Sequence, residues 1–345
     1  MTRLLGAASL TSTDMLARVV GFDTTSRNSN PDLIGFVRSW LYAHDVPYRL
    51  SFDPTGQKAH LHATIGPVQP GGLAFAGHVD TVPTDGQTWT GDPYTLRREN
   101  GRLIGRGTCD MKGFVASILA AVPDIKARRP TRPVHLLLTY DEEVGYHGAR
   151  RLVEDLNESG LRPAACVVGE ASGMLPIVAA KGRLICRVSV RGHAAHSSAA
   201  HRGINAVHAA AEAVAWLAAE SRRLARNGPF EADFDPTYST LQVSNFTCEG
   251  LPNTLPDHAA FDVEWRNVPA DDSILELARL QGHVATAIEP RMLDLHPGTG
   301  FTYQVLLDLA ALCLPPEHKL ARTACEITGT PIGGKLSYCS GGLCA

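Results

Sequence analysis

The stretch Val134-His-Leu-Leu-Leu-Thr-Tyr-Asp-Glu142-Glu143 decides the fold of this chain, because a β-rich apolar run ends there in adjacent carboxylates. Two other stretches have the same plan, Leu73-Ala-Phe-Ala-Gly-His78 and Cys166-Val-Val-Gly-Glu170. Apolar runs of this length are typical of strands that are covered on both faces. In an open α/β sheet, sites form beyond the carboxyl ends of the strands. These three stretches therefore predict one polar site at one edge of a sheet.

The elements around these stretches alternate helices with short strands as far as about residue 182. This alternation predicts an α/β fold in which a mainly parallel sheet lies between helices. The predicted helices are residues 14–20, 32–43, 113–122 and 148–156, and the predicted strands are 60–65, 73–76, 134–140 and 165–168.

The pattern changes after residue 183. Strands in which apolar and polar residues alternate now precede and follow a long Ala-rich helix along the chain. Strands are predicted at 186–190, 240–243, 259–265 and 291–295, and helices at 204–224 and 272–287. This order predicts a smaller α/β sandwich, residues 183–296, inserted into the first domain. Residues 297–345 would return to that first domain with helical patterns at 303–313 and 317–328.

Length and composition exclude several classes of protein. A chain of 345 residues is long enough for two domains. Its formal charge of −3 and 19% charged residues provide no basic surface for nucleic acid. The apolar start is interrupted at residues 11–14, and no stretch approaches the roughly 18 apolar residues of a membrane span. Eight scattered cysteines without a CxxC pair indicate reduced thiols, so we expect a soluble, cytoplasmic protein.

His78 and Asp80 lie two positions apart, so on an extended backbone they share a face. Asp80 could then accept the second ring N–H of an imidazole that binds a metal through its other nitrogen. The alternative is a histidine that caps a turn beside an exposed aspartate.

The Gly-rich segment Gly105-Arg-Gly-Thr-Cys-Asp110-Met-Lys-Gly113 leads into an apolar helix, with Asp110 at the expected N-cap position. A carboxylate can cap a helix, and it can also bridge two cations through its two oxygens. The glycines would let the backbone approach such a site closely. Both roles for Asp110 remain open.

Asp141, Glu142 and Glu143 place three carboxyl groups in a row after a predicted strand. Adjacent side chains point in different directions, so Glu143 could bind a metal while Glu142 takes a proton from an activated water. Glu170 is a further candidate carboxylate ligand. The alternative is that these residues are solvated acids at strand ends.

The candidate ligands are nitrogen and oxygen atoms without thiolates. Such a set favours a catalytic Zn²⁺ ion, or a similar ion such as Co²⁺, over a structural zinc site. Several acids beside one histidine suggest two metal ions.

In order and spacing, these segments resemble the co-catalytic zinc peptidases that include aminoacylases and acetylornithine deacetylases. The resemblance rests on the segments around His78, Asp110, Glu142-Glu143 and Glu170 and covers nearly the whole chain. It implies that residues 1–182 and 297–345 form the catalytic metal-binding domain and residues 183–296 a lid and dimerisation domain. It also implies a homodimer.

The same resemblance implies a role for each candidate residue of the first domain. His78, Asp110 and Glu170 would hold one zinc ion, and Asp110 with Glu143 would hold the second. Glu142 would be the general base.

Three residues of the second domain match family positions that contact substrate. Gly192-His-Ala-Ala-His196-Ser resembles the motif whose histidine reaches the site of a neighbouring subunit and stabilises the oxyanion. Asn253-Thr-Leu-Pro256 and Arg266 resemble lid positions that bind substrate, and Arg266 is suited to bidentate capture of a carboxylate. The alternatives are an Asx-turn for Asn253 and a surface arginine.

Within the family, residues 77–83, 105–113 and 139–145 most resemble the acetylornithine deacetylases. This implies hydrolysis of N2-acetyl-L-ornithine to L-ornithine and acetate in arginine biosynthesis. The alternatives are succinyl-diaminopimelate desuccinylase, another N-acyl amino acid hydrolase, and a carboxypeptidase acting on dipeptides.

The end of the chain departs from the family pattern. The family continues beyond the region of residues 335–338 with a Gly-Pro-Gly turn and a late histidine that completes the second metal site. Here Cys339-Ser-Gly-Gly-Leu-Cys-Ala345 follows instead, and no histidine comes after His318, which is not a candidate ligand. We therefore expect an incomplete C-terminal part of the catalytic domain, weak binding of the second metal and reduced turnover. A catalytically inactive protein is the alternative.

Overall fold

A computed structural model describes residues 10–335 of the chain. These residues divide into two compact units, 10–174 and 175–335, each described here by itself. Within residues 10–335, no helix combines the length and the apolar character that a membrane crossing requires.

The first unit alternates helices with strands, as the sequence predicts. Its helices are α1 (Ser12–Val20), α2 (Pro31–Ala43), α3 (Lys112–Ala120), α4 (Val122–Ala127) and α5 (His147–Ser159). Its strands are β1 (Tyr48–Phe52), β2 (Ala59–Ile65), β3 (Leu73–His78), β4 (Arg97–Glu99), β5 (Arg102–Ile104), β6 (Val134–Thr139) and β7 (Ala165–Val168). All four predicted helices and all four predicted strands are confirmed. The strand β1 and the small β4–β5 hairpin are additional.

Five strands of the first unit form one sheet in the order β1-β2-β6-β3-β7. The pairs β3–β6 and β3–β7 are parallel, whereas β1–β2 and β2–β6 are antiparallel. The predicted α/β class is confirmed, and its parallel part consists of β6, β3 and β7. Because these three strands run in the same direction, the residues that follow them meet at one edge.

The two faces of this sheet are both covered by helices. Alternate residues of β2, such as Leu61 and Ala63, pack into the main core with α1, α2 and α3. The opposite face carries Ala74, Ala76 and Leu137, which pack against α5. Burial on both faces explains why the strand sequences are nearly continuous apolar runs.

The second unit is an α/β arrangement around an antiparallel sheet. Its strands are β8 (Ala179–Ala180), β9 (Arg183–Arg191), β10 (Thr240–Cys248), β11 (His258–Arg266), β12 (Gly300–Leu309) and β13 (Leu312–Cys313). Its helices are α6 (Ala206–Asn227), α7 (Ser273–His283), α8 (Glu289–Leu295) and α9 (Lys319–Thr328). The main sheet has the order β10-β11-β9-β12, and β8 pairs with β13. The first five elements of the predicted order, strand, helix, two strands and helix, are confirmed.

Two predictions near the end of this unit are wrong. Residues 291–295, a predicted strand, lie in α8, whereas residues 303–313, a predicted helix, lie mostly in β12. A short Leu-rich run has no periodicity that distinguishes helix from strand. Here pairing along β9, from Gly300 opposite Arg191 to Leu309 opposite Arg183, makes it a strand.

The strand β12 belongs to the sheet of the second unit, so this unit extends beyond residue 296. The division into a catalytic domain (residues 1–182 and 297–345) and a lid domain (183–296) stays a prediction. The expectations about residues 336–345 concern a segment that lies outside the described residues.

Candidate metal centre

The candidate site is built around His78, the last residue of β3, whose side chain is 2% exposed. Its Nδ1 donates to the backbone carbonyl of Asp80 at 3.0 Å, and a carboxylate oxygen of Asp80 lies 3.4 Å away. Its Nε2 donates to Oδ1 of Asp110 at 2.9 Å and lies 3.9 Å from Oε1 of Glu170. Both ring nitrogens therefore face oxygen atoms of the predicted partners.

Asp80 is buried and holds together the segments behind His78. Its carboxylate accepts a hydrogen bond from the Ser26 hydroxyl at 2.7 Å. It also accepts the backbone N–H groups of Glu142 at 3.2 Å and Glu143 at 3.4 Å. Asp80 thus links the end of β3 to the turn that carries the two glutamates.

Asp110 precedes α3 but does not cap it. The helix begins at Lys112, with Met111 as its N-cap and without a side-chain capping bond. The capping alternative for Asp110 is therefore wrong, because its carboxylate contacts His78 instead. The Asp110 side chain is 53% exposed, which leaves its other oxygen accessible to a further group.

Glu142 and Glu143 lie in a tight turn between β6 and α5. The turn is closed by backbone hydrogen bonds from Tyr146 to Asp141 at 2.7 Å and from Gly145 to Glu142 at 3.2 Å. Asp141 has a φ of 57°, in the left-handed region, which turns the chain sharply after the strand. The turn places both glutamates beside His78.

Glu170 follows β7 and Gly169. A Cβ atom at Gly169 would lie 1.9 Å from the ring of Phe114, so a larger residue would displace the strand end. The Glu170 side chain is 16% exposed, and its buried Oε1 has no hydrogen-bond partner among residues 10–335. An unpaired buried carboxylate oxygen indicates that a binding partner is needed.

The ionisation of these groups reflects their crowding. Burial opposes the charged form of His78, but the Asp110 and Asp80 carboxylates raise its pKa well above the usual value. Burial and the neighbouring Asp110 raise the pKa of Glu143 to about 7, against the effect of His78. Burial, with Asp110 among the neighbouring acids, likewise raises the pKa of Glu170 to about 7. Burial also raises the pKa of Glu142.

Two groups of side chains offer ligand atoms within 4.8 Å of one another. One consists of His78, Asp110 and Glu170, and the other of His78, Glu142 and Glu143. The first is the set that the family resemblance implies for one metal ion. The structure thus brings together the five residues of the predicted site, while their roles as ligands stay predictions.

The sequence profile of peptidase family M20/M25/M40 matches residues 74–281, which include these five residues. The match covers more than half of the chain. The chain belongs to peptidase family M20/M25/M40. As an M20 peptidase it is a hydrolase that acts on amide bonds.

Among curated proteins, this M20 chain is similar to the acetylornithine deacetylase of Photorhabdus laumondii subsp. laumondii. The two are 32% identical over 321 residues, which are 92% of this chain and 80% of the relative. An acetylornithine deacetylase from Shigella sonnei is 31% identical over 318 residues, covering 90% of this chain and 79% of the relative.

Solved structures share the M20 fold. An M20 family metallo-carboxypeptidase from Sulfolobus solfataricus has a TM-score of 0.69 and 17% identity, covering 96% of this chain and 87% of its own. A dinuclear metal-binding M20 peptidase from Bacillus subtilis has a TM-score of 0.63 and 14% identity, covering 96% and 85%. At these identities the likeness concerns the fold alone.

The residues present fit a divalent cation. The unpaired Oε1 of Glu170 and the carboxylate of Asp110 both face Nε2 of His78. Oxygen ligands with one imidazole are a donor set that Zn²⁺ and Co²⁺ accept at catalytic sites. His78, Asp110 and Glu170 could therefore hold one ion, and Glu143 could contribute to another.

The predicted substrate-binding residues of the second unit, His196, Asn253 and Arg266, lie in two separate places. Ser197 N–H donates to the backbone carbonyl of Asn253 at 2.9 Å, so Asn253 and His196 are neighbours. Arg266 is the last residue of β11, roughly 27 Å from the start of that strand at His258 at about 3.4 Å per strand residue. Its Nε donates to Glu264 at 2.8 Å. Within one copy, the second unit brings together His196 and Asn253 but not Arg266.

His196 is exposed and has a defined tautomer. Its Nδ1 accepts the backbone N–H of Ser198 at 3.2 Å and lies 2.8 Å from the Ser198 hydroxyl. A neutral ring with an accepting Nδ1 carries its proton on Nε2. The side chain therefore offers an N–H donor of the kind that an oxyanion requires.

Sequence reasoning missed Ser26, which binds Asp80. The segment of residues 24–26 pairs with residues 79–81, through Ser26 N–H to the Thr81 carbonyl at 3.1 Å and Thr81 N–H to the Thr24 carbonyl at 3.2 Å. A run of three small polar residues after α1 was the only local signal. Nothing in that run indicates which distant carboxylate it meets.

Proposed function

We propose that this protein is a deacetylase that hydrolyses N2-acetyl-L-ornithine to L-ornithine and acetate, a reaction of arginine biosynthesis. The observation that supports this substrate is the 32% identity to a curated acetylornithine deacetylase over 92% of the chain. The site of the first unit supplies the acids and the histidine that such a reaction needs.

In this proposal His78, Asp110 and Glu170 hold a Zn²⁺ ion, with Co²⁺ as a possible replacement. A bound ion of this kind supplies Lewis-acid chemistry, lowering the pKa of water and polarising the acyl carbonyl. Asp80 keeps the turn of Glu142 in place through the backbone N–H at 3.2 Å.

Glu142 is the general base and acid. It takes a proton from the attacking water, whose oxygen forms the new bond to the acyl carbon. As the carbon–nitrogen bond breaks, Glu142 delivers that proton to the nitrogen, which leaves as the amine. Burial raises the pKa of Glu142, which brings it closer to the operating pH that proton transfer favours.

The second unit contributes groups for substrate. His196 donates its Nε2 proton to the developing oxyanion, and Asn253 beside it contacts the substrate. Because the two lie at the opposite end of the sheet from Arg266, we propose that they serve the site of a partner copy. The protein would then act as a homodimer through this unit, and the guanidinium nitrogens of Arg266 that do not contact Glu264 would bind a substrate carboxylate. We propose a cytoplasmic location.

The second metal ion is proposed to bind weakly. Apart from the shared Asp110, Glu143 is the remaining acid assigned to it, and the residues grouped around His78 offer no second imidazole within residues 10–335. We expect these ligands to hold one ion firmly and the second more weakly.

A comparison of substrates tests the proposed function. Purified protein is reconstituted with Zn²⁺ or Co²⁺ and assayed with N2-acetyl-L-ornithine, N-succinyl-LL-diaminopimelate and dipeptides. We expect the highest kcat/KM with N2-acetyl-L-ornithine. A higher kcat/KM with the succinyl compound or with dipeptides would favour the desuccinylase or carboxypeptidase alternative. The Glu142→Gln variant, purified in the same way, reports any contaminating host enzyme.

Elemental analysis of the same preparations tests the metal proposal. Two firmly held zinc ions per chain together with rapid turnover would contradict weak binding of the second ion. Protein that binds metal but hydrolyses no amide would support the inactive alternative.

A further inference from the structure

Lys58 lies next to the candidate site but belongs to no motif. It closes the turn between β1 and β2, and its side chain is 16% exposed. Its ammonium group donates to the Asp141 carboxylate and to the backbone carbonyl of Ser26, both at short range. These two partners lie in different segments of the first unit.

The two segments that Lys58 joins are those that bind Asp80. The Ser26 hydroxyl donates to Oδ2 of Asp80 at 2.7 Å. The turn after Asp141 provides the N–H group of Glu142 to Oδ1 at 3.2 Å. Lys58 therefore ties together the groups that fix both oxygens of the Asp80 carboxylate.

The backbone of Lys58 is itself firmly placed. Lys58 N–H donates to Oδ1 of Asp53 at 2.8 Å, and Asp53 N–H donates back to the Lys58 carbonyl at 2.8 Å. The Asn30 amide exchanges two hydrogen bonds with the backbone of Ala59, at 2.8 and 2.9 Å. These bonds fix the backbone position from which the Lys58 side chain reaches its two partners.

The positive charge of Lys58 explains why its contact with Asp141 matters. The Asp141 side chain is only 12% exposed and lies among other acids of the site. Removing the lysine would leave a buried carboxylate without its counter-charge, which is strongly unfavourable. Asp141 would then move toward water and take the turn of Glu142 and Glu143 with it.

We propose that Lys58 is a positioning residue of the metal-dependent reaction. It acts through Asp141 and Ser26 to hold Asp80 and to keep Glu142 at the reacting atoms. This inference rests on the proposed function of the site, since it assigns Lys58 a role in that same chemistry.

The test compares Lys58→Met and Lys58→Arg with a matched control, Lys126→Met. Lys126 makes a similar pair of hydrogen bonds, donating to the His44 carbonyl and to the Asp45 carboxylate. None of its partners belongs to the candidate site. Three properties are measured: amide hydrogen exchange of residues 140–148 in metal-free protein, Co²⁺ affinity, and kcat and KM.

We expect Lys58→Met to speed exchange in residues 140–148, and to weaken Co²⁺ binding or lower kcat by about 10- to 100-fold, as for outer-sphere partners of a metal site. KM should change less than kcat. Lys58→Arg should recover most of each property, and Lys126→Met should match the wild type in all three. The double variant with Asp141→Asn should be no worse than Lys58→Met alone, because the two residues act as one unit.

The outcomes separate the two proposals. If the wild type hydrolyses no N-acyl amino acid, but Lys58→Met still speeds exchange and weakens Co²⁺ binding, the function fails and the positioning role stands. If the wild type is active and Lys58→Met equals it in exchange, Co²⁺ affinity and kcat, the positioning role is overturned. It is also overturned if Lys126→Met has the same effects, or if the wild type binds no Co²⁺.

Discussion

His78 Nε2 lies 2.9 Å from Oδ1 of Asp110, although 32 residues separate them in the chain. The contact joins the end of β3 to the Gly-rich loop before α3. A carboxylate that is half-exposed needs no buried partner for its own solvation. The Asp110 carboxylate nevertheless points at the buried imidazole of His78, beside an unpaired Glu170 oxygen. A cation shared by these side chains would require this arrangement.

Asp110→Asn keeps the shape of this side chain and removes its charge. We expect metal content to fall and Co²⁺ affinity to drop by more than the roughly 10- to 100-fold typical of outer-sphere changes, with activity falling in parallel. Elemental analysis and Co²⁺ titration measure this. Asp124→Asn, an exposed acid on α4, is the control. An Asp110→Asn protein with wild-type metal content would contradict the assignment.

Glu142→Gln and Glu143→Gln should have different consequences. We expect Glu142→Gln to retain metal and to lose about 100- to 10,000-fold in kcat, the usual contribution of general acid–base catalysis. Glu143→Gln should instead keep the firmly held ion and weaken binding of the second. Co²⁺ titration and kcat of the two variants, measured side by side, check this division. If Glu142→Gln weakened binding of the second ion while Glu143→Gln left it unchanged, the two roles would have to be exchanged.

His196 is proposed to act across a dimer, which subunit mixing can test. Glu142→Gln and a His196→Ala variant should each have low activity with intact metal binding. Random exchange between them makes half of the dimers mixed, each with one complete site, so about a quarter of wild-type activity should return. No recovery, despite verified exchange, would mean that His196 acts within its own subunit or not at all. His201→Asn is the control for a nearby exposed histidine.

Acid should destabilise the first unit through His62. Its Nε2 lies 2.9 Å from Nδ1 of His135, and both rings are buried. Burial and the neighbouring His135 lower the pKa of His62 to about 4. In the unfolded chain the pKa of His62 is about 6.5. Between about pH 6.5 and pH 4 the unfolded chain therefore binds a proton that the folded protein does not. The contribution of neutral His62 to the free energy of unfolding is therefore complete above about pH 6.5. It falls as the pH drops toward 4, by up to about 3 kcal/mol.

The measurement is urea unfolding of metal-free protein at neutral pH and at pH 5. His62→Gln should lose less of its free energy of unfolding on acidification than the wild type does. His258→Gln, which changes an exposed histidine, should behave as the wild type. Equal pH dependence for His62→Gln and the wild type would show that His62 does not carry this effect.

The elements of the first unit could be predicted because their signals are local. An apolar run of about six residues between turn residues, such as residues 134–139, is too short for most helices and therefore predicts a buried strand. Residues 303–313 had no such signal, because a Leu-rich run is compatible with helix and strand alike. Pairing with β9 decided it.

The sequence by itself determined which acids and which histidine end the strands, and the direction of parallel strands implies that they meet. It also determined the family, through the spacing of His78, Asp110, Glu142-Glu143 and Glu170. Only the tertiary structure decided that Asp110 contacts His78 rather than capping α3, that Ser26 contacts Asp80 and that Lys58 contacts Asp141. The reason is physical: strand formation depends on neighbours in sequence, whereas a hydrogen bond to a carboxylate depends on which distant segments packing brings within about 3 Å.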